Sequence, residues 1–172
     1  TIGTTYSYLF SKAGHNVEHY IRKSSKKINI TQLNVDVLDG RNNKKGDHYT
    51  DTYKVNTHTK DNYDFIFISM PAGNIKSVIE TLNSNNIKGT IILCCGIWKD
   101  KKYLEKVMQG REYILGYPVA GGNIVDATLT CCVFDHFILE KKENSKINNY
   151  DKLVSLFESC NIKLETPYDM LE

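Results

Sequence analysis

The chain has no stretch of 18 consecutive apolar residues. Apolar runs such as the one around Phe65 to Met70 are too short to cross a bilayer. No basic segment followed by an apolar one opens the sequence, so no secretory signal is read, and a soluble, cytoplasmic protein is expected. Proline is scarce, at 3 in 172 residues, which with an apolar content of 41% excludes collagen-like, mucin-like and strongly disordered chains. Neither sign of charge dominates: 22 basic against 20 acidic residues leave no electrostatic case for nucleic acid. No nucleic-acid and no membrane partner is therefore expected.

Metal-binding and redox spacings are missing too. Cys94, Cys95, Cys131, Cys132 and Cys160 form an odd set containing two adjacent pairs, with neither C-x-x-C nor a Cys/His zinc spacing. Neighbouring residues on a strand point to opposite faces, so each pair is a poor disulfide and a poor chelate. Small buried hydrophobes are the expected role, and no metal is expected. A Ser-His-Asp order, H-E-x-x-H, a phosphate-binding P-loop and paired carboxylates are likewise absent.

What is present is an alternation of helical and strand patterns, the signature of α/β layering, in a chain long enough for one domain with a real core. Ile2, Tyr6, Leu9, Phe10 and Ala13 form a helical stripe, and Gly14 suits the left-handed position that ends it. Val17 to Ile21 reads as a short strand and Lys23 to Lys27 as a basic loop. Val35 to Leu38 is a candidate strand, Asp39-Gly40 a turn, and Tyr53 to Thr57 a candidate antiparallel return. Phe65 to Ile68, apolar on both faces, reads as a central parallel strand. A helix with Ile75, Val78, Ile79 and Leu82 follows, then a buried strand from Ile91 to Cys95. Beyond it come a helix with Tyr103, Leu104, Val107 and Met108, and a strand from Glu112 to Tyr117 ended by a loop at Pro118 to Gly122. Leu129 to Leu139 reads as one long edge or hairpin strand. A helix with Leu153, Leu156, Phe157 and Cys160 precedes a strand at Ile162 to Leu164, and Thr166 to Asp169 looks like the cap of a further helix. Because the opening helix has no strand before it, residues upstream of Thr1 are expected, with a partner-supplied strand as the alternative.

Parallel sheets bind ligands at the carboxyl ends of their strands. That rule selects Thr1 to Thr4, Arg22 to Lys27, Ser69 to Asn74, Cys95 to Trp98 and Pro118 to Gly122 as candidate site segments. Gly3, near a helix start, could permit close helix–strand packing. Arg22 directly follows the second strand pattern, where an acid would bind a ribose 2′-hydroxyl and a base accommodates a 2′-phosphate. With Lys23, Ser24, Lys26 and Lys27 behind it, Arg22 points to NADP rather than NAD; the bland reading is a solvated basic loop. An arginine there also argues against a methyltransferase-type domain. Pro71 and Gly73, Gly96, and Gly121-Gly122 leave room for a ligand or simply satisfy tight turns. His15, His48 and His58 look exposed, His19 and His136 fall in strand patterns, and Trp98 reads as a packing residue.

These segments together resemble the ketopantoate reductase (2-dehydropantoate 2-reductase) family. T-I-G-T-T-Y-S-Y-L-F-S-K-A-G-H-N-V-E-H-Y-I-R is similar to that family's end of the glycine fingerprint, first helix, A-G-H turn, second strand and arginine. D-F-I-F-I-S-M-P-A-G-N-I-K-S-V-I-E-T-L with T-I-I-L-C-C-G-I-W resembles its fourth strand, helix and N-G turn, and G-Y-P-V-A-G-G the loop after the next strand. The resemblance implies a Rossmann-like, doubly wound, mostly parallel α/β sheet. It places an NADP(H)-binding domain over residues 1–166 and, at 167–172, the start of a connection to a helical substrate domain.

The resemblance also assigns roles. Thr1, Ile2 and Gly3 would end the pyrophosphate loop, and Arg22 would meet the 2′-phosphate. Ser69, Met70, Pro71, Ala72, Cys95 and Gly96 would flank the cofactor, with Ala120 or Gly121 beside the nicotinamide. The implied activity is hydride transfer from NADPH to a small 2-keto acid, a step of pantothenate synthesis, with the catalytic lysine expected beyond Glu172. Pro71 stands where the family often has lysine, and Cys95 where it has asparagine. Both departures favour a different ketone or imine as the alternative substrate. A non-catalytic NADP-binding module is the other alternative, and a homodimer stays open.

Overall fold

The computed structural model describes residues 1–25, 28–96, 100–167 and 169–171. Lys26, Lys27, Trp98 and Tyr168, each named in the expectations above, lie outside the described residues. The elements in chain order are α1 (Ile2–Lys12), β1 (Gln32–Asp39), β2 (Asp47–Lys54), β3 (Asn62–Ile68), α2 (Ile75–Ser84), β4 (Lys88–Leu93) and α3 (Lys101–Met108). After these come β5 (Tyr113–Tyr117), β6 (Ala120–Val125), β7 (Thr128–Val133), β8 (His136–Leu139), α4 (Tyr150–Ser159) and β9 (Lys163–Glu165). The chain divides into two compact units. The first comprises Thr1–Thr59, Val119–His136 and Leu156–Lys163; the second comprises Lys60–Pro118, Phe137–Ser155 and Leu164–Glu172.

The first unit is built on a four-stranded sheet in the order β2-β1-β7-β6. β1 pairs antiparallel with β2 and parallel with β7, and β7 pairs antiparallel with β6. Leu33, Val35 and Val37 alternate along β1 with more exposed residues, so one face of the strand is buried. Tyr6, Tyr8, Leu9 and Phe10 form the buried stripe of α1. Phe157 meets Tyr6 and Phe10 edge-on at centroid distances of 6.5 and 5.7 Å, the geometry that aromatic quadrupoles favour. Gly14 takes φ +91 after α1, as its position predicts.

The second unit carries strands in the order β3-β4-β5-β8-β9. β3, β4 and β5 run parallel, whereas β8 pairs antiparallel with β5. Ile75, Ile79 and Leu82 of α2 and Leu104, Val107 and Met108 of α3 pack with Ile91, Leu93 and Leu115 into one apolar cluster. Each such side chain contributes about 1.5–3 kcal/mol by leaving water. Asp100 caps α3 by accepting the Tyr103 N–H at 2.9 Å.

The α/β class holds, with mixed sheets, and the four helical stripes fall where the apolar spacing puts them. The strands show the departures. Val17 to Ile21 shrinks to an isolated parallel bridge between His19 and Thr57, because only the backbone around Asn56 and His58 lies beside it. The return strand is β2, ending at Lys54, so Val55 to Thr57 lie outside it. β3 stands at the end of its sheet order rather than in the centre, and Phe65 to Phe67 are accordingly only half-buried. The Leu129 to Leu139 segment breaks at Phe134-Asp135 into β7 and β8, which join different sheets. The Pro118 to Gly122 loop is shorter than expected, since β6 already begins at Ala120. No helix follows Thr166 among the described residues.

Candidate functional site

In the first unit, α1 starts at Ile2 with Thr1 as its N-cap residue, and Thr5 N–H donates to the Thr1 carbonyl at 2.9 Å. The first-turn N–H groups of a helix carry partial positive charge. Thr4 of that turn lines a cleft of about 210 Å³ together with His19, Tyr20, Ile21, Arg22 and Ser25. Leu33 of β1, Val55 and Ile124 of β6 supply the apolar side of the same cleft.

Arg22 is exposed there, and among the described residues its guanidinium has no hydrogen-bond or ion-pair partner. Ser25 N–H donates to the Arg22 carbonyl at 2.9 Å, turning the chain back just after the arginine. His19 Nε2 lies 2.6 Å from the Tyr53 hydroxyl, and burial holds the imidazole below its ordinary pKa. Burial pushes the Tyr53 hydroxyl up to about 12.

The second unit brings two other candidate segments side by side at the carboxyl ends of β3 and β4. Cys94 N–H donates to the Ile68 carbonyl at 2.8 Å, and the Cys95 thiol reaches the same oxygen at 3.7 Å. Burial raises the Cys95 thiol pKa, so this group is a neutral, weak donor. Met70, Ala72 and Cys95 pack on the apolar cluster, while Ser69 is half-buried and Pro71 and Gly96 are exposed. A Cβ added at Gly96 would meet no atom within 4 Å, so the chain's own packing does not require glycine there.

Ala120 and Gly121 sit in β6 opposite Val133 and Cys132, not in a loop. The strand begins at Ala120 because β7 offers a full antiparallel partner, which the glycine-rich composition conceals. The Val119 N–H donates to the Tyr6 hydroxyl at 3.2 Å and ties this end of β6 to α1. The structure thus places Thr1, Ile2 and Gly3 in the turn that brings Thr4 to Arg22, but Ala120 and Gly121 are not among the walls of the cleft. Sequence reasoning passed over Tyr20, His19, Val55 and Ile124 as cleft residues. The one available signal was the two-residue spacing of Tyr20 and Arg22, which puts both on one side of an extended segment.

Among the described residues no group of three or more His, Cys, Asp or Glu side chains could hold a metal, and no helix is long and apolar enough to cross a membrane. All five cysteines are free; Cys94, Cys131 and Cys160 are buried and Cys95 and Cys132 partly so.

Among solved structures, the chain is similar to a 2-dehydropantoate 2-reductase from Geobacter metallireducens GS-15, with 15% identity and a TM-score of 0.67 over 97% of this chain and 55% of that one. A PanE/ApbA family ketopantoate reductase from Ralstonia eutropha JMP134 matches with 13% identity and a TM-score of 0.70, over 99% of this chain and 54% of that one. D-mandelate dehydrogenase, solved with NADH and anilino(oxo)acetate, matches with 13% identity and a TM-score of 0.62, over 97% of this chain and 54% of that one. The chain therefore spans about half the length of these structures. No curated protein matches it. The family model described as ketopantoate reductase PanE/ApbA matches residues 1–119, more than half of the sequence, and the chain belongs to that family.

Proposed function

We propose that this chain is the cofactor-binding part of an NADPH-dependent reductase acting on a small 2-keto acid, as 2-dehydropantoate 2-reductases do. The carrying observation is Arg22, an exposed guanidinium without a counter-ion among the described residues, in a cleft shared with Thr4 of the first helical turn. This fits a nucleotide bearing a 2′-phosphate: a planar fork of donors meets the phosphate, and the nearby helix start favours negative charge. When bound, NADPH supplies the hydride that reduces the ketone carbon to an alcohol.

The remaining roles follow from the strand ends. Thr1, Ile2 and Gly3 lie at the helix start that would face the pyrophosphate, and Ser69, Met70, Pro71, Ala72, Cys95 and Gly96 would flank the dinucleotide. Ala120 or Gly121 would lie beside the nicotinamide. The proton donor to the nascent alkoxide is assigned to a lysine outside these 172 residues, in a helical substrate domain. A homodimer is the assembly in line with the dimeric ketopantoate reductase of Staphylococcus aureus.

One observation favours a second reading of the substrate. Cys95 offers only a weakly donating thiol already directed at Ile68, and Pro71 offers no side-chain donor. A ketone or imine other than ketopantoate would make fewer demands on these two positions.

The test is a titration of the full-length protein with NADPH and NADH. Charge-assisted bonds to the 2′-phosphate are worth about 1.5–3 kcal/mol, so NADPH should bind at least about tenfold tighter. Arg22→Gln should erase that preference while leaving NADH affinity unchanged. Equal affinities for the two cofactors in the unmodified protein would overturn the reading. Rates with ketopantoate against simpler 2-keto acids and cyclic imines then decide between the substrates.

A further inference from the structure

Beside Arg22 the first unit carries an aromatic pair with no evident structural task. The rings of Tyr20 and His58 lie 4.8 Å apart between centroids, inclined by 33°. Tyr20 is 45% exposed and His58 is also exposed, so the pair closes no core. It is nevertheless held in place by backbone bonds: His19 N–H donates to the Asn56 carbonyl at 2.7 Å, and His58 N–H donates to the His19 carbonyl at 3.0 Å. This short parallel pairing sets residue 20 beside residue 58. Tyr20 also lines the same cleft as Arg22.

Resting on the cofactor reading above, we propose that Tyr20 and His58 form the stacking surface for the purine ring of the nucleotide whose 2′-phosphate meets Arg22. Two residues of extended chain span about 6.6 Å, comparable with the ribose that joins a purine to its 2′-phosphate. A phosphate on the guanidinium therefore brings the base over the aromatic pair. Tyrosine and histidine rings accept any purine face, so the pair contributes affinity for the base, while Arg22 selects the phosphate. Pyrimidine nucleotides, with a smaller π-face, gain less from the same surface.

The experiment measures binding of 2′,5′-ADP, which carries the base and the 2′-phosphate but no nicotinamide, to the full-length protein by calorimetry. Tyr20→Ala and His58→Ala should each weaken it by roughly tenfold, in line with alanine substitutions at base-stacking aromatics, whereas Tyr20→Phe should bind as the unmodified protein does. Thermal unfolding of each variant reports whether it is folded, and His58→Ala keeps the test open if Tyr20→Ala is not. Unchanged 2′,5′-ADP affinity in a folded alanine variant, with Arg22→Gln still losing it, would overturn the stacking surface and leave the Arg22 reading intact. Failure of the unmodified protein to bind 2′,5′-ADP would overturn both.

Discussion

Arg41 closes a two-pronged grip on Asp39, with Nε 3.0 Å from Oδ1 and Nη2 2.7 Å from Oδ2. Its remaining Nη1 donates to the Cys160 carbonyl at 2.7 Å, and the Tyr49 hydroxyl donates to Asp39 Oδ2 at 2.8 Å. Asp39 is only 6% exposed, and the carboxylate is tolerable because Arg41 Nε and Nη2, the Arg41 backbone N–H and the Tyr49 hydroxyl all donate to it.

Removing one member of that pair should be costly. Asp39→Ala leaves the guanidinium uncompensated and is expected to lower unfolding free energy by about 3–5 kcal/mol, measured by urea unfolding. The pair also sets an acid limb. Burial alone would raise the Asp39 pKa, but the hydrogen bonds from Arg41 and Tyr49 outweigh it and hold the carboxyl below its usual value of 3.8. Stability from this group is therefore complete above that value and is lost as pH falls through the lower folded value. Comparing urea midpoints between neutral pH and pH 3 should show a steeper acid loss in the unmodified protein than in Asp39→Asn.

His19 predicts a second pH dependence, in a higher window. Burial lowers its folded pKa below 6.5, so at mildly acidic pH the unfolded chain takes up a proton that the folded one refuses. Its contribution is thus intact above pH 6.5 and declines as pH falls from there toward the folded value. An NMR titration of the His19 ring should give a midpoint below 6.5. Replacing His19 by glutamine should flatten that part of the stability profile; an ordinary midpoint would contradict the buried imidazole.

Neighbouring glycines in β6 should respond in opposite ways to alanine. Gly122 has φ +154, and an added Cβ would collide with the Thr130 carbonyl across the hairpin. Gly122→Ala is expected to cost about 2 kcal/mol in stability. At Gly121 the added Cβ would meet nothing within 4 Å, so Gly121→Ala should leave the melting temperature unchanged. If Gly121 borders the nicotinamide, as proposed, that variant should weaken NADPH binding without weakening 2′,5′-ADP binding.

Helices were the most legible part of the sequence. Ile75, Ile79 and Leu82, or Leu104, Val107 and Met108, repeat at helical spacing and bury one stripe each. Strands were legible where apolar runs are continuous, as in β4, and misread where pairing overrides composition. Ala120-Gly121-Gly122 looks like a loop until β7 lies beside it. The hairpin between β6 and β7 turns through Asp126 and Ala127, both at positive φ, without the glycine that would announce such a turn. Conversely, Val17 to Ile21 has strand-like residues but pairs at one position only. In the site, Arg22 was legible from its place after a strand pattern. The Tyr20–His58 pair was not, because nothing local in either residue's surroundings announces that a backbone bridge will bring the two rings together.

The discontinuity of the first unit has a consequence for the order of folding. β7 pairs with both β1 and β6, and Phe157 and the Cys160 carbonyl are engaged by Tyr6, Phe10 and Arg41. Contacts so distant along the chain carry a large loop-closure cost, and they make formation of this unit slow compared with that of α2 or α3. During synthesis the cleft that holds Arg22 would therefore wait for the segment that carries Phe157. A fragment ending at residue 119, where the family match ends, would lack β6 and β7 and leave Ile124's side of the cleft unbuilt.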